Sequence, residues 1–189
     1  MTAAQVLEVF RRCGALLDGH FILRSGRHSR AFFQCALVLQ DPAATAELCG
    51  ALAGKIKAEK WVFQSVISPA MGGILVGHEV ARHLGRRHIF AEKEGGKLTI
   101  RRFEVKPGEK YLVAEDVITT GSAVREVISL VREAGGVVAG VACLVDRSTQ
   151  KPELGAPLCS LFGMPVETFP ATEIPSDLIN IPAVKPGSR

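Results

Sequence analysis

The sequence predicts an α/β protein whose central sheet is mostly parallel and flanked by helices. Three observations point there. Apolar runs of strand length alternate with stretches of helical periodicity from WVFQSVIS to VVAGVACLVDR, the order of a sheet covered on both faces. No internal repeat or low-complexity tract interrupts the alternation. One run, YLVAEDVITTGSAVRE at residues 111–126, ends in two adjacent acids and a small polar turn, so charge sits at the end of a strand where a packed core would reject it.

At the start, Thr2 followed by Gln5 has the form of a capping box, and Val6, Val9, Phe10 and Cys13 recur at helical spacing until Gly14 stops the helix. HFILRSGRHSRAFFQCALVL then reads as two short strands around a polar turn. Asp41-Pro42 starts a helix that runs toward Glu59. WVFQSVIS is expected to be a strand, PAMGG a loop, and ILVGHEVARHLG a helix closed at Gly85. RHIFAEKE and KLTIRRFEV form extended arms around Gly95-Gly96, the strongest turn signal in the chain. KYLVAEDVI is a strand, AVREVISLVREAGG a helix ended by glycines, and VVAGVACLVDR another strand. The Pro-rich end, IPSDLINIPAVKPGSR, is expected to be irregular.

A length of 189 residues suffices for a good core, and 47% hydrophobic with 22% charged residues is a globular composition. No window approaches the roughly 20 apolar residues of a membrane helix. MTAAQVLEVFRRCG lacks the basic start and long apolar run of a secretory signal, so a soluble, cytoplasmic protein is expected. Cys13, Cys35, Cys49, Cys143 and Cys159 are odd in number and widely spread, which suggests neither a disulfide framework nor a zinc site. His20, His28, His78, His83 and His88 show no metal-ligand spacing. The net charge of +4 is uneven: residues 82–110 hold nine Lys or Arg against four Glu, a local +5 that leaves the rest at −1. A basic segment of this kind is either a solvated face or a site for a polyanion.

Ligands of open α/β sheets bind beyond the carboxyl ends of the strands. Glu115 and Asp116 end one strand, TTGS makes a tight turn, and a helix begins near Ala123. The free N–H groups and partial positive charge of a helix start suit an anion, and Thr119, Thr120 and Ser122 add hydroxyl donors. The loop therefore suits a phosphate, and the two carboxylates suit ribose hydroxyls or a hydrated Mg²⁺. On local physics alone, acids before a glycine turn also occur as caps or surface turns. The segment is not a Walker A loop, since no Gly-Lys-Ser/Thr follows.

VAEDVITTGSA resembles the signature of the type I phosphoribosyltransferases, which bind 5-phosphoribosyl-1-diphosphate (PRPP). GHFILRSGRHSRAFF resembles the base-binding segment of the orotate-using members, SPAMGGI their diphosphate loop, and LVDR the strand end whose arginine meets orotate. The matches run in family order from about Gly14 to Arg147. The resemblance implies the type I phosphoribosyltransferase fold over one domain, residues 1–189, with a base-binding hood at about 1–40, a core at about 41–160, a flexible β-arm and an irregular tail at about 161–189.

It also implies transfer of the 5-phosphoribosyl group of PRPP to orotate, giving orotidine 5′-monophosphate and diphosphate. Glu115 and Asp116 would hold the ribose hydroxyls, and Thr119, Thr120, Gly121, Ser122 and Ala123 would wrap the 5′-phosphate. Ser68, Pro69, Ala70, Met71, Gly72 and Gly73 would hold the diphosphate, and Arg24, Phe32, Phe33 and Arg147 would hold orotate. Arginine's fixed fork of donors fits a carboxylate and carbonyl edge better than lysine. The cofactor implied is Mg²⁺, held mainly by PRPP near Glu115 and Asp116. The partners are the two substrates and a second copy, in a homodimer with shared sites; neither nucleic acid nor membrane is expected.

The sequence departs from the family twice. Gly72 stands where some relatives carry Lys, and the arm EKEGGKLTIRR has different spacing and no His. Lys93, Lys97 and Arg101, with Arg102, are the cations left to meet the leaving group. Two rival readings remain: transfer to uracil or a purine, which Arg24 disfavours, and an RNA-binding regulator of the same fold, for which the basic segment offers only Phe90 and Phe103 for stacking.

Overall fold

The computed structural model describes residues 1–23, 25–164 and 167–185. Its main sheet has six strands in the order β5-β4-β3-β6-β7-β8: β3 Ser65–Pro69, β4 Arg87–Glu94, β5 Lys97–Thr99, β6 Lys110–Ile118, β7 Val137–Asp146 and β8 Leu158–Gly163. All neighbours pair in parallel except β4 and β5. A second, antiparallel sheet, β1-β2-β9, joins Leu16–Ile22, His28–Phe33 and Thr168–Phe169.

Side chains alternate across a strand, and here both sets are apolar. Val66, Leu112, Ala114 and Leu144 enter a core shared with α1 (Ala3–Arg12), α3 (Pro42–Ala58) and α4 (Gly72–Leu84). Ile67, Val113, Val141 and Cys143 enter a second core on the opposite face with α5 (Ser122–Glu133). The continuous apolar runs of the sequence are therefore strands buried on both faces. The helix ends follow local chemistry: Thr2 and Gln5 close a reciprocal capping box, and the Asp41 carboxylate accepts from the N–H groups of Ala43 and Ala44. Gly85 ends α4 at φ 62°, in the left-handed conformation that glycine adopts without strain.

The fold departs from the sequence reading in three places. Within QCALVL the chain forms a short helix, α2 (Ala36–Leu39), whose Val38 and Leu39 are buried. β3 begins only at Ser65, after Trp61 has packed its ring close to Gly140 on β7. The third departure is the C-terminal end. Residues 161–163 complete β8, Thr168–Phe169 form β9 on the hood, and Ser176–Ile179 form α6.

Candidate active site

β3 and β6 are adjacent and parallel, and their helical crossovers leave in opposite directions, to β4 and to β7. This is a switch point, where a doubly wound sheet opens a crevice at its carboxyl edge. Ser68 to Gly73 span the end of β3, a two-residue turn and the start of α4, and Thr119 to Ala123 span the turn after β6 and the start of α5. The two meet at their glycines. A Cβ on Gly72 would strike the Asp116 carboxylate, and one on Gly73 would lie 2.9 Å from Glu115 Oε1. These glycines leave space for the two acids. Ser68 is buried, and its Oγ lies 2.8 Å from His88 Nε2; burial, and then His78, lower the His88 pKa to about 4.

The acids differ in environment. Glu115 is buried and accepts from the Asp116 N–H at 3.0 Å, while Asp116 is half-buried at the crevice. Burial, and then Asp116, push the Glu115 carboxyl up to about 9, so without ligand Glu115 keeps its proton at neutral pH. Between about 4.5 and about 9 the folded chain holds a proton that the unfolded chain releases. Stability should therefore fall as pH rises through that window, by up to about 1.4 kcal/mol per pH unit. Glu115→Gln is expected to flatten the fall. Urea midpoints for both proteins from about pH 5 to 8.5 check this, and parallel slopes would mean that Glu115 is ionised in the fold.

Gly121 enters α5 at φ 75°, no side chain caps the helix, and Arg125 holds the turn by donating from Nη1 to the Thr120 carbonyl at 2.8 Å. The uncapped amides face a concavity of about 60 Å³ lined by Glu115 and residues 117–124. A larger cavity, about 740 Å³, lies between this loop and the hood. Phe32, Phe33, Thr119, Thr120 and Arg147 line it, joined by Ile22, Leu23, Ser25, Thr149 and Thr168, which the sequence reading missed. Phe33 also belongs to the core, edge-on to Phe10. Arg24 lies outside the described residues.

Arg147 is held where its chemistry is unsatisfied. Its N–H donates to the Ile118 carbonyl, and the next residue, Ser148, closes a turn onto the Asp146 carboxylate. The guanidinium carbon lies 5.8 Å from the Phe33 ring centre, desolvation lowers the side chain's pKa, and the buried Nε has no hydrogen-bond partner among the described residues. An unpaired buried donor of this kind is costly unless a ligand accepts from it.

The register Ser65↔Arg87 to Pro69↔Ala91 makes β4 outrun β3 at the carboxyl edge, so the β4–β5 arm rises beside the crevice. Gly95 and Gly96, at φ 57° and 87°, make its turn. Leu98 is buried, and its N–H donates to Glu126 on α5. Lys93 and Lys97 are exposed, whereas Arg101 pairs with Glu94 at 3.0 Å and Arg102 with Glu92 at 2.9 Å. The local +5 is not one patch. Arg87 and Lys110 begin their strands at the opposite end of the sheet, where Arg87 pairs with Glu109.

A parallel sheet with a switch point, an uncapped phosphate-sized turn after paired acids and a glycine loop beside them are matched by the phosphoribosyl transferase domain over residues 38–170. The chain belongs to the phosphoribosyltransferase family. It is 51% identical to the orotate phosphoribosyltransferase of Desulforamulus reducens, over 100% of this chain and 98% of that one. It is 50% identical to the protein of the same name from Pelotomaculum thermopropionicum, over 100% and 99%. The fold is similar to the crystal structure of orotate phosphoribosyltransferase from Aeropyrum pernix, with a TM-score of 0.72 at 24% identity over 84% of this chain and 93% of that one.

Proposed function

We propose that this protein transfers the 5-phosphoribosyl group of PRPP to orotate, forming orotidine 5′-monophosphate and diphosphate in pyrimidine nucleotide synthesis. The observation that carries the reading is Arg147, a half-buried cation whose buried Nε has no partner among the described residues, beside a cavity that continues into the turn after β6. Orotate brings to such a cavity a carboxylate and carbonyl oxygens. The names of the full-length relatives support the same substrate.

The amides and hydroxyls of Thr119 to Ala123 hold the 5′-phosphate, and Glu115 and Asp116 hold the ribose hydroxyls. The loop of Ser68 to Gly73 holds the diphosphate. Phe32 and Phe33 flank the pyrimidine, and Arg24 and Arg147 take its acceptor edge. The ring nitrogen bonds to C1 of the ribose as the C1–O bond breaks and its electrons leave with diphosphate, and the proton of the ring N–H passes to the departing diphosphate or to water. Positive charge develops on the sugar, so these residues act by position and charge and no covalent nucleophile is required. Lys93, Lys97 and Arg101 neutralise the leaving group, and the arm excludes water that would hydrolyse PRPP.

Mg²⁺ carried by PRPP supplies further neutralisation of the diphosphate. The donor set fits it: among the described residues no three His, Cys, Asp or Glu cluster as a metal cage, whereas one or two carboxylates suffice for an ion held mainly by substrate phosphates. Asp116, with Glu115 behind it, would hold it.

A homodimer with shared sites is the proposed assembly. Met71 of the diphosphate loop is 83% exposed and Leu75, one turn into α4, is 49% exposed, an apolar border that a second copy would cover. No described helix is long and apolar enough to cross a membrane, and five unpaired cysteines support a reducing compartment, the cytoplasm. The ion pairs that break up the basic segment disfavour an RNA-binding role.

Incubation with PRPP and Mg²⁺ beside orotate, uracil, adenine or hypoxanthine tests the reading. Only orotate should disappear, and Arg147→Ala should weaken orotate binding by roughly 1.5–3 kcal/mol while sparing PRPP. Equal or faster use of a purine would overturn the assignment, and an Arg147→Ala loss confined to PRPP would reassign that arginine.

A further inference from the structure

The C-terminal segment is bound to the hood at both edges. On one side β9 pairs with β2, His28 opposite Phe169 and Ser29 opposite Thr168. There Arg30 grips Asp177 with two bonds of 2.7 and 2.8 Å, reaches Glu167 at 2.8 Å, and lies 4.7 Å over the Phe169 ring. On the other side Val184 exchanges backbone hydrogen bonds with His20 and Ile22, and the His20 Nδ1–H donates to the Ile181 carbonyl at 2.9 Å. A segment clamped in this way is a fixed wall of whatever it faces.

It faces the base cavity, which Thr168 lines together with Phe32, Phe33 and Arg147. Arg27 donates from Nε to Thr168 Oγ1 at 2.8 Å and from Nη2 to the Thr168 carbonyl at 2.7 Å. A threonine hydroxyl has one proton and two lone pairs. The guanidinium occupies a lone pair, which orients the hydroxyl and polarises it as a donor. Its proton goes to no acceptor among the described residues, and the acceptor has room to come from the cavity.

We infer that Thr168 is a specificity-determining donor to an acceptor oxygen of the base, with Arg27 as its positioning residue; this rests on reading the cavity as the orotate site. Thr168 and Arg147 then both offer donors to a base rich in carbonyl and carboxylate oxygens. A base that turned an amino group toward Thr168 would meet only the remaining lone pair of an oxygen already polarised by a cation, a poorer acceptor, so the pair selects as well as binds.

Three variants, each titrated separately with orotate and with PRPP, test the inference. Thr168→Val keeps the shape and removes the donor, and should weaken orotate binding about tenfold with PRPP affinity unchanged. Thr168→Ser keeps the hydroxyl and should restore most of the loss. Arg27→Met should weaken orotate binding by a smaller factor, again sparing PRPP. Orotate affinity in Thr168→Val equal to wild type, a Ser variant as weak as Val, or parallel losses of both ligands in Arg27→Met would each overturn the inference. Wild-type protein that neither binds nor consumes orotate would instead overturn the functional reading, and this inference with it.

Discussion

Asp116→Asn is expected to lower turnover about 10²- to 10³-fold, the loss typical of removing one pre-positioned group that stabilises developing charge, with the fold intact. Asn has nearly the volume of Asp, and the backbone N–H of residue 116 still reaches Glu115. The side chain also keeps its place against Gly72, where no Cβ competes for the space. Only the charge changes. It is the charge that counts, because Glu115 behind it is buried and, without ligand, holds its proton to a raised pH, leaving Asp116 as the more exposed acid to meet a developing positive sugar or a hydrated cation. Steady-state turnover at saturating PRPP, orotate and Mg²⁺, with circular dichroism as the control for folding, checks the expectation. Near-normal turnover would mean that the acids are structural.

The second large effect concerns the arm. Lys97→Ala should be nearly inactive for a similar reason: Gly72 leaves the diphosphate loop without a side-chain cation, and Arg101, which shares the task, must first part from Glu94. Lys97 is exposed and directly opposite Glu94 across the hairpin, at the carboxyl edge of the sheet. If each arm serves the neighbouring site, mixing Lys97→Ala with Asp116→Asn should restore activity, since a mixed dimer has one site in which both groups are intact. Random exchange makes half the dimers mixed, each with one of two sites working, so the ceiling is about a quarter of wild type. A monomer by sedimentation, or inactive mixtures after proven subunit exchange, would show that the arm serves its own site.

Local chemistry alone was enough to determine β3, β6 and β7, the helices α1, α3, α4 and α5 and the position of the crevice, but not α2, β8, β9 or α6. Capping at Thr2 and Asp41, closure at Gly85, and unbroken apolar runs in β3, β6 and β7 are short-range properties, so they can be read from neighbouring residues. The AEDVITTGS turn stood out for the same reason, since charge ends an apolar strand there, but local physics left a cap or surface turn open and the resemblance decided between them. The tertiary structure decided what depends on residues distant in sequence. Net charge along residues 82–110 says nothing of direction, and β4 carries Arg87 to one end of the sheet and Lys93 to the other. The difference between Glu115 and Asp116 comes from what packs over each, since their residue types predict nearly equal acidity. Thr168 stands in a Pro-rich stretch with no periodicity, and only its pairing with Ser29 and its bond from Arg27 bring it to the cavity. Such pairing is invisible to local pattern, because its energy depends on a partner strand that the fold alone brings near.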